Sequence, residues 1–214
     1  MKRRGDLKWK LKKGEFRVSI FGSARIKRKD AIYQEIYEIG KKLGERNIDI
    51  VTGGGPGLME AASYGHKIGR KGHDAHAIAL NIKLPVEQKF NSYSDIKMKF
   101  KRFSKRLDNF MLFSNAVVVA PGGVGTLLEL LYTWQLVQVK HIRHIPIILL
   151  GEMWPDFIKW LEREPLKRKY FEKEDLKLLF LARDADEVVG IIDAANLEFK
   201  KGKRSSVNII HRKR

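Results

Sequence analysis

The chain contains no cysteine. A disulfide scaffold, a zinc–cysteine site, an iron–sulfur cluster and a cysteine nucleophile are therefore excluded. No apolar run approaches the roughly 20 residues that a membrane-spanning helix needs. The opening stretch, MKRRGDLKWKLKKGEF, is basic but has no apolar segment behind it, so no signal peptide is expected. The six histidines, at 66, 73, 76, 141, 144 and 211, form no H-x-x-E-H or similar cluster, and no metal site is expected. These absences leave a soluble, cytoplasmic protein without a metal or other cofactor as the expectation.

What is present is a sizeable apolar fraction and a lopsided charge. Hydrophobic residues make up 43% of the 214, enough for a substantial core. The net charge is +18, but residues 1–14 carry +6 and residues 200–214 carry +7, leaving only +5 on residues 15–199. The chain is read as one domain, 15–199, between two basic tails, 1–14 and 200–214. The tails are either arms for RNA, DNA or another polyanion, or plain solvated surface. Trp9 is their one aromatic residue, and there is no RGG or RNA-binding consensus.

Between the tails, short apolar runs alternate with amphipathic stretches. Strands are expected at 16–21, 48–51, 75–80, 116–120, 145–150 and 176–182. Helices are expected at 29–45, 57–69, 102–113, 125–138, 154–163 and 184–195. In the first helix Ile32, Ile36, Ile39 and Leu43 recur at spacings of 3 and 4. Continuous Val/Ile strands between such helices predict an α/β fold, a doubly wound, Rossmann-like and mostly parallel sheet covered on both faces. Ligands of such sheets lie beyond the carboxyl ends of the strands. Three glycine-rich turns fall on that edge: Gly22-Ser23, Gly53 to Gly57, and Gly122 to Thr126.

Glycine lets backbone N–H groups approach a ligand, and a helix N-terminus adds partial positive charge, so each turn suits an anion. Gly53, Gly54, Gly55 and Gly57 form one such loop; Gly122, Gly123, Gly125 and Thr126 form another. The first has the spacing of neither the dinucleotide fingerprint nor the P-loop. Two nests at neighbouring strand ends point to a phosphorylated ligand. Glu129 lies three residues after Thr126, which also fits a capping box. Arg106 lies in a basic run, KFKRFSKR, where a solvated arginine is the plain reading. Glu60 sits one turn into a helix, where an acid complements the dipole.

Taken together, GGGPGLMEAA at 53–62, NSYSD at 91–95, KR at 105–106 and PGGVGTLLE at 121–129 resemble the LOG ("lonely guy") phosphoribohydrolases, once labelled lysine decarboxylases. IFGSAR at 20–25 and LNIKLPVEQ at 80–88 match as well. The resemblance covers roughly residues 16–182. It implies hydrolysis of the N-glycosidic bond of a nucleoside 5′-monophosphate, of AMP or cytokinin riboside type, to a free base and ribose 5-phosphate. It carries the signature glutamate onto Glu129 and the upstream arginine onto Arg106 as the catalytic pair. The glycine loops, with Gly22, Ser23 and Glu60, would hold substrate, and Asn91 or Ser23 would touch base or ribose. It also implies a homodimer, with Tyr132, Trp134, Leu136 and Val137 on the helix after PGGVGT compatible with an interface or with the core. Three positions depart from the family pattern: Leu128 and Thr133 where acids are common, and Leu107 where lysine is usual. The reading from a different class is a carrier that binds a nucleotide-like ligand, such as a molybdenum cofactor, without reacting. The pair Arg106 and Glu129 discriminates, since a carrier has no need of it.

Overall fold

The computed structural model describes residues 14–84 and 89–202. The two tails, apart from Gly14 and residues 200–202, and residues 85–88 of the matched stretch 80–88 lie outside the described residues. Strands β1 (Arg17–Phe21), β2 (Asp49–Thr52), β3 (Ala77–Ile82), β4 (Ile96–Phe100), β5 (Ala116–Val119), β6 (Ile147–Leu150) and β7 (Leu179–Ala182) form one sheet. Its order is β4-β3-β2-β1-β5-β6-β7. Every neighbouring pair is parallel. Helices α1 (Ala31–Glu45), α2 (Leu58–Gly69) and α7 (Ala185–Lys200) pack against one face through Ile36, Ile39, Leu58 and Ile192. Helices α3 (Phe103–Phe113), α4 (Val124–Gln138) and α5 (Met153–Leu161) cover the other through Phe110, Leu130 and Trp154. The doubly wound α/β fold read from the apolar periodicity is the fold observed.

Several elements differ from the expectation. β4 leads into the basic run, and in it Ile96, Met98 and Phe100 alternate with Lys97 and Lys99. An edge strand is covered on one face only, so it alternates instead of running apolar throughout. The last strand is shorter than expected because Lys173–Leu176 turn as a short helix, α6, closed by a capping box between Glu172 and Asp175. After α5 the chain widens into a π-turn, Glu162–Leu166, around Pro165. Proline has no N–H to donate, which disfavours continuing the tighter helix there.

Helices α1 and α2 meet backbone to backbone. A Cβ at Gly65 would lie 1.9 Å from the carbonyl oxygen of Tyr37, and one at Gly40 would lie 2.3 Å from that of Ala62. This close approach places α2, and with it the glycine loop at its N-terminus. Gly65→Ala is expected to destabilise the fold by about 1–3 kcal/mol through overpacking. Gly190→Ala in α7, where a Cβ meets nothing within 4 Å, should instead stabilise by about 0.5–1 kcal/mol from helix propensity. Thermal melts of the two variants moving in the same direction would refute the packing argument.

The chain reverses its winding at β1, which has β2 on one side and β5 on the other. The carboxyl ends of these three strands lead into the three glycine turns. Short backbone bonds tie the turns together: Ser23 N–H donates to Pro121 O (3.0 Å), and Leu58 N–H donates to Ser23 O (3.0 Å).

Candidate active site

Arg106 and Glu129 come from different helices and meet over the ends of β2 and β3. Arg106 Nη1 lies 3.0 Å from Glu129 Oε1, with side-chain exposures of 12% and 10%. Three further features fix the guanidinium. Its Nε donates to the carbonyl oxygen of Leu80 at 2.7 Å. The ring of Phe110 lies beneath it, 5.0 Å from centroid to Cζ. Gly53 leaves it room, since a Cβ there would lie 2.6 Å from Arg106 Nη2. The basic run around Arg106 is exposed, but Arg106 itself turns inward.

The capping reading of Glu129 fails on geometry. Helix α4 begins at Val124, with Gly123 as its cap residue and no side chain capping it. Thr126 is therefore the third helical residue and Glu129 the sixth, too deep to reach the first free N–H. Burial pushes the Glu129 carboxyl up to about 7, against the opposing pull of Arg106. Burial likewise pushes the Arg106 guanidinium down from its ordinary value, with Glu129 restraining the shift.

The two glycine loops are not equivalent. At 122–126 the start of α4 is open: Gly123 and Gly125 are exposed, and a Cβ on either would meet nothing within 4 Å. Its uncapped amides are available to an anion. Gly122 is close-packed instead, because Thr126 Oγ1 would sit 2.1 Å from a Cβ there. The loop at 53–57 is buried except for Pro56. Gly54, at φ +72°, lies under Phe90 and Ala79, and Gly57, at φ +66°, lies against Ser23 and Ala24. Gly22 packs on Leu58. Asn91 staples this loop: its N–H donates to Gly54 O at 2.8 Å and its side-chain amide to Gly55 O at 3.2 Å. Asn91 Oδ1 accepts from Tyr93 N–H and Ser94 Oγ. Ser23 Oγ accepts from Arg25 N–H.

Glu60 is in the first turn of α2, where its Oε1 accepts from Arg28 Nε (3.0 Å) and Tyr33 OH (3.4 Å). Burial and the charge of Glu60 push the Tyr33 hydroxyl up to about 12. The structure thus brings Arg106, Glu129 and the α4 loop together, and holds Glu60 in a separate cluster. Phe110, Arg28 and Tyr33 lie outside the motifs, and Leu80, which opens the matched stretch LNIKLPVEQ, contributes only its carbonyl; a ring face, long-range pairings and a backbone oxygen leave no side-chain signal. Among the described residues, no group of three His, Asp or Glu side chains could hold a metal ion. No helix there is long and apolar enough to cross a membrane.

Comparison with known proteins identifies relatives of the chain as a whole. A nucleosidase of Escherichia coli K12, named for pyrimidine/purine nucleotide 5′-monophosphates, is 29% identical over 140 residues, 63% of this chain. The match spans only 30% of that protein's length. A cytokinin riboside 5′-monophosphate phosphoribohydrolase LOG of Oryza sativa subsp. japonica is 26% identical over 192 residues, 87% of this chain and 76% of that one. Among solved structures, the molybdenum cofactor carrier protein of Chlamydomonas reinhardtii shares the fold at a TM-score of 0.62 and 19% identity, covering 86% of this chain and 99% of that one. The profile of a family described as "Possible lysine decarboxylase" matches residues 59–192. That span runs from the first turn of α2 into α7 and takes in more than half the chain, so the chain belongs to this family, the LOG family.

Proposed function

We propose that the chain hydrolyses the N-glycosidic bond of a nucleoside 5′-monophosphate, water adding to the ribose carbon as the base departs. The observation that carries this reading is a buried carboxylate, Glu129, paired at 3.0 Å with a largely buried guanidinium beside an open helix N-terminus. Departure of the base builds positive charge on the ribose. A carboxylate in a water-poor site stabilises that charge and can take a proton from the attacking water. Arg106 opposes the pull of burial on the Glu129 carboxyl, favouring its charged form, and holds it in position. The α4 amides at 123–126 receive the 5′-phosphate, and the buried 53–57 loop shapes the floor and makes room for Arg106. The relatives named for nucleotide nucleosidase and phosphoribohydrolase activity support the reading, and the cytoplasm, where nucleotides are held, is the setting it implies.

A panel of nucleoside monophosphates assayed for released ribose 5-phosphate tests the proposal and identifies the base. AMP should be turned over and adenosine, at equal concentration, should not, because the α4 nest is unfilled without phosphate. Equal turnover of the two would sink the phosphate assignment. The carrier reading rests on the shared fold with the cofactor carrier. It gives no role to the buried pair. The older lysine decarboxylase description fits poorly too, since no described lysine is buried and sheltered for a Schiff base.

We further propose a homodimer through the outer face of α4. Tyr132, Trp134 and Leu136 pack against the core and Val137 is buried within it. The exposed apolar residues are Val124, Leu128 and Leu131, at spacings of 4 and 3 on the helix that carries Glu129. Leu128→Asp should halve the mass measured by light scattering. An unchanged mass would remove this face from the interface.

A further inference from the structure

The ligand edge carries a charge asymmetry that a mononucleotide does not use. The loop leaving β1 exposes Arg25, Lys27 and Lys29. The turn from β4 into α3 and the first turn of that helix expose Lys101, Arg102 and Lys105. The loops after β5, β6 and β7 carry one arginine and two acids between them. Among the described residues, none of the six cations has an ion-pair partner. Elsewhere on the surface, many cations do: Lys42 with Asp186, Arg46 with Asp193, Lys159 with Asp156 and Arg183 with Glu187. Uncompensated like charges gathered on one edge repel each other and create a field that a polyanion relieves.

The two cation groups stand at the ends of β1 and β4, three strand spacings apart, about 14 Å. One phosphate cannot reach both, whereas successive phosphates of a strand can. Within the second group, Phe103 is 51% exposed between Arg102 and Lys105. A half-exposed aromatic ring flanked by cations is the combination on which unpaired bases stack. A membrane surface would call for a broader apolar face than this one ring.

We propose that this basic edge, from the β1–α1 loop across to the start of α3, binds single-stranded nucleic acid. The phosphodiester backbone runs along the cations, and a base stacks on Phe103. The basic tails are not required for this contact. The proposal does not rest on the hydrolytic reading, which the separate ribose 5-phosphate assay addresses.

The test is fluorescence anisotropy of a labelled single-stranded oligonucleotide, DNA and RNA in parallel arms, with the full-length chain over a range of salt. One variant combines Lys27→Gln, Lys29→Gln, Lys101→Gln and Arg102→Gln. A control removes the same charge elsewhere, by Lys71→Gln, Lys140→Gln, Lys167→Gln and Lys173→Gln, and both keep the tails. The edge variant should lose about tenfold or more in affinity and reduce the log–log salt slope by about 2 to 3, as expected for four phosphate contacts on a single strand. The control should stay within about threefold of the unmodified chain. Phe103→Ala should weaken binding about fivefold or more with little change in slope. Equal losses in the two charge variants, or an edge variant that binds like the unmodified chain, would overturn the proposal. So would edge-dependent binding to phosphatidylserine vesicles with none to the oligonucleotide.

Discussion

Glu129→Gln is expected to lower kcat by about 10²-fold or more, equivalent to about 2.7 kcal/mol, while nucleotide still binds. Glutamine keeps the length and shape of the side chain, and its amide oxygen can still accept from Arg106. The negative charge is lost. In the ground state little positive charge lies on the ribose, so KM should change less than kcat. That split marks an interaction made in the transition state. A helix-capping role would leave turnover nearly untouched and cost about 1 kcal/mol or less of stability. The structure already places Glu129 beyond capping reach, at the sixth residue of α4. A kcat within about threefold of the unmodified protein, in a preparation with normal melting behaviour, would remove Glu129 from the chemistry and favour the carrier reading. If Glu129→Gln melts early, Arg106→Lys provides the second measurement. It retains a cation but gives up the fork held by Leu80 O and Glu129, and should also lose most turnover.

The parts of this site that could be read from the residues alone are those that depend on local order along the chain. PGGVGTLLE places a glycine turn, a helix start and an acid in one stretch, and the strand AVVV before it is continuous and apolar. The register of the helix was not legible there, because Thr126 and Glu129 satisfy a capping-box spacing as readily as an interior one. Only the start of α4 at Val124 separates the two. Arg106 was hidden by its surroundings, since five neighbouring cations are exposed and its inward turn depends on the Leu80 carbonyl and the Phe110 ring. β4 was missed because an edge strand that alternates lysine with apolar residues looks like a basic loop. The glycines of α1 and α2 give no signal in either helix alone, and their purpose is visible only where Gly65 meets Tyr37 across the interface.

The same carboxyl governs an expected pH dependence. With the Glu129 pKa pushed up to about 7 by burial, kcat/KM for AMP should fall about tenfold per unit below that value. Between pH 8 and pH 5 the loss is about 10²-fold. The sign follows from the chemistry: only the ionised form stabilises positive charge, so activity is lost as protons are added. Stability runs the other way. The folded chain keeps this proton from the ordinary carboxylate range up to about 7, a window in which the unfolded chain has released it. The contribution to stability is therefore full at low pH and is lost as pH rises through about 7. The substrate phosphate also titrates, near about 6, and produces its own limb. Glu129→Gln separates the two, because its residual activity should keep the phosphate limb and lose the one near 7. Arg106→Met, by removing the opposing cation, should move the Glu129 limb still higher. A limb near 7 that survives unchanged in Glu129→Gln would show that another group sets it and that Glu129 does not act as the base.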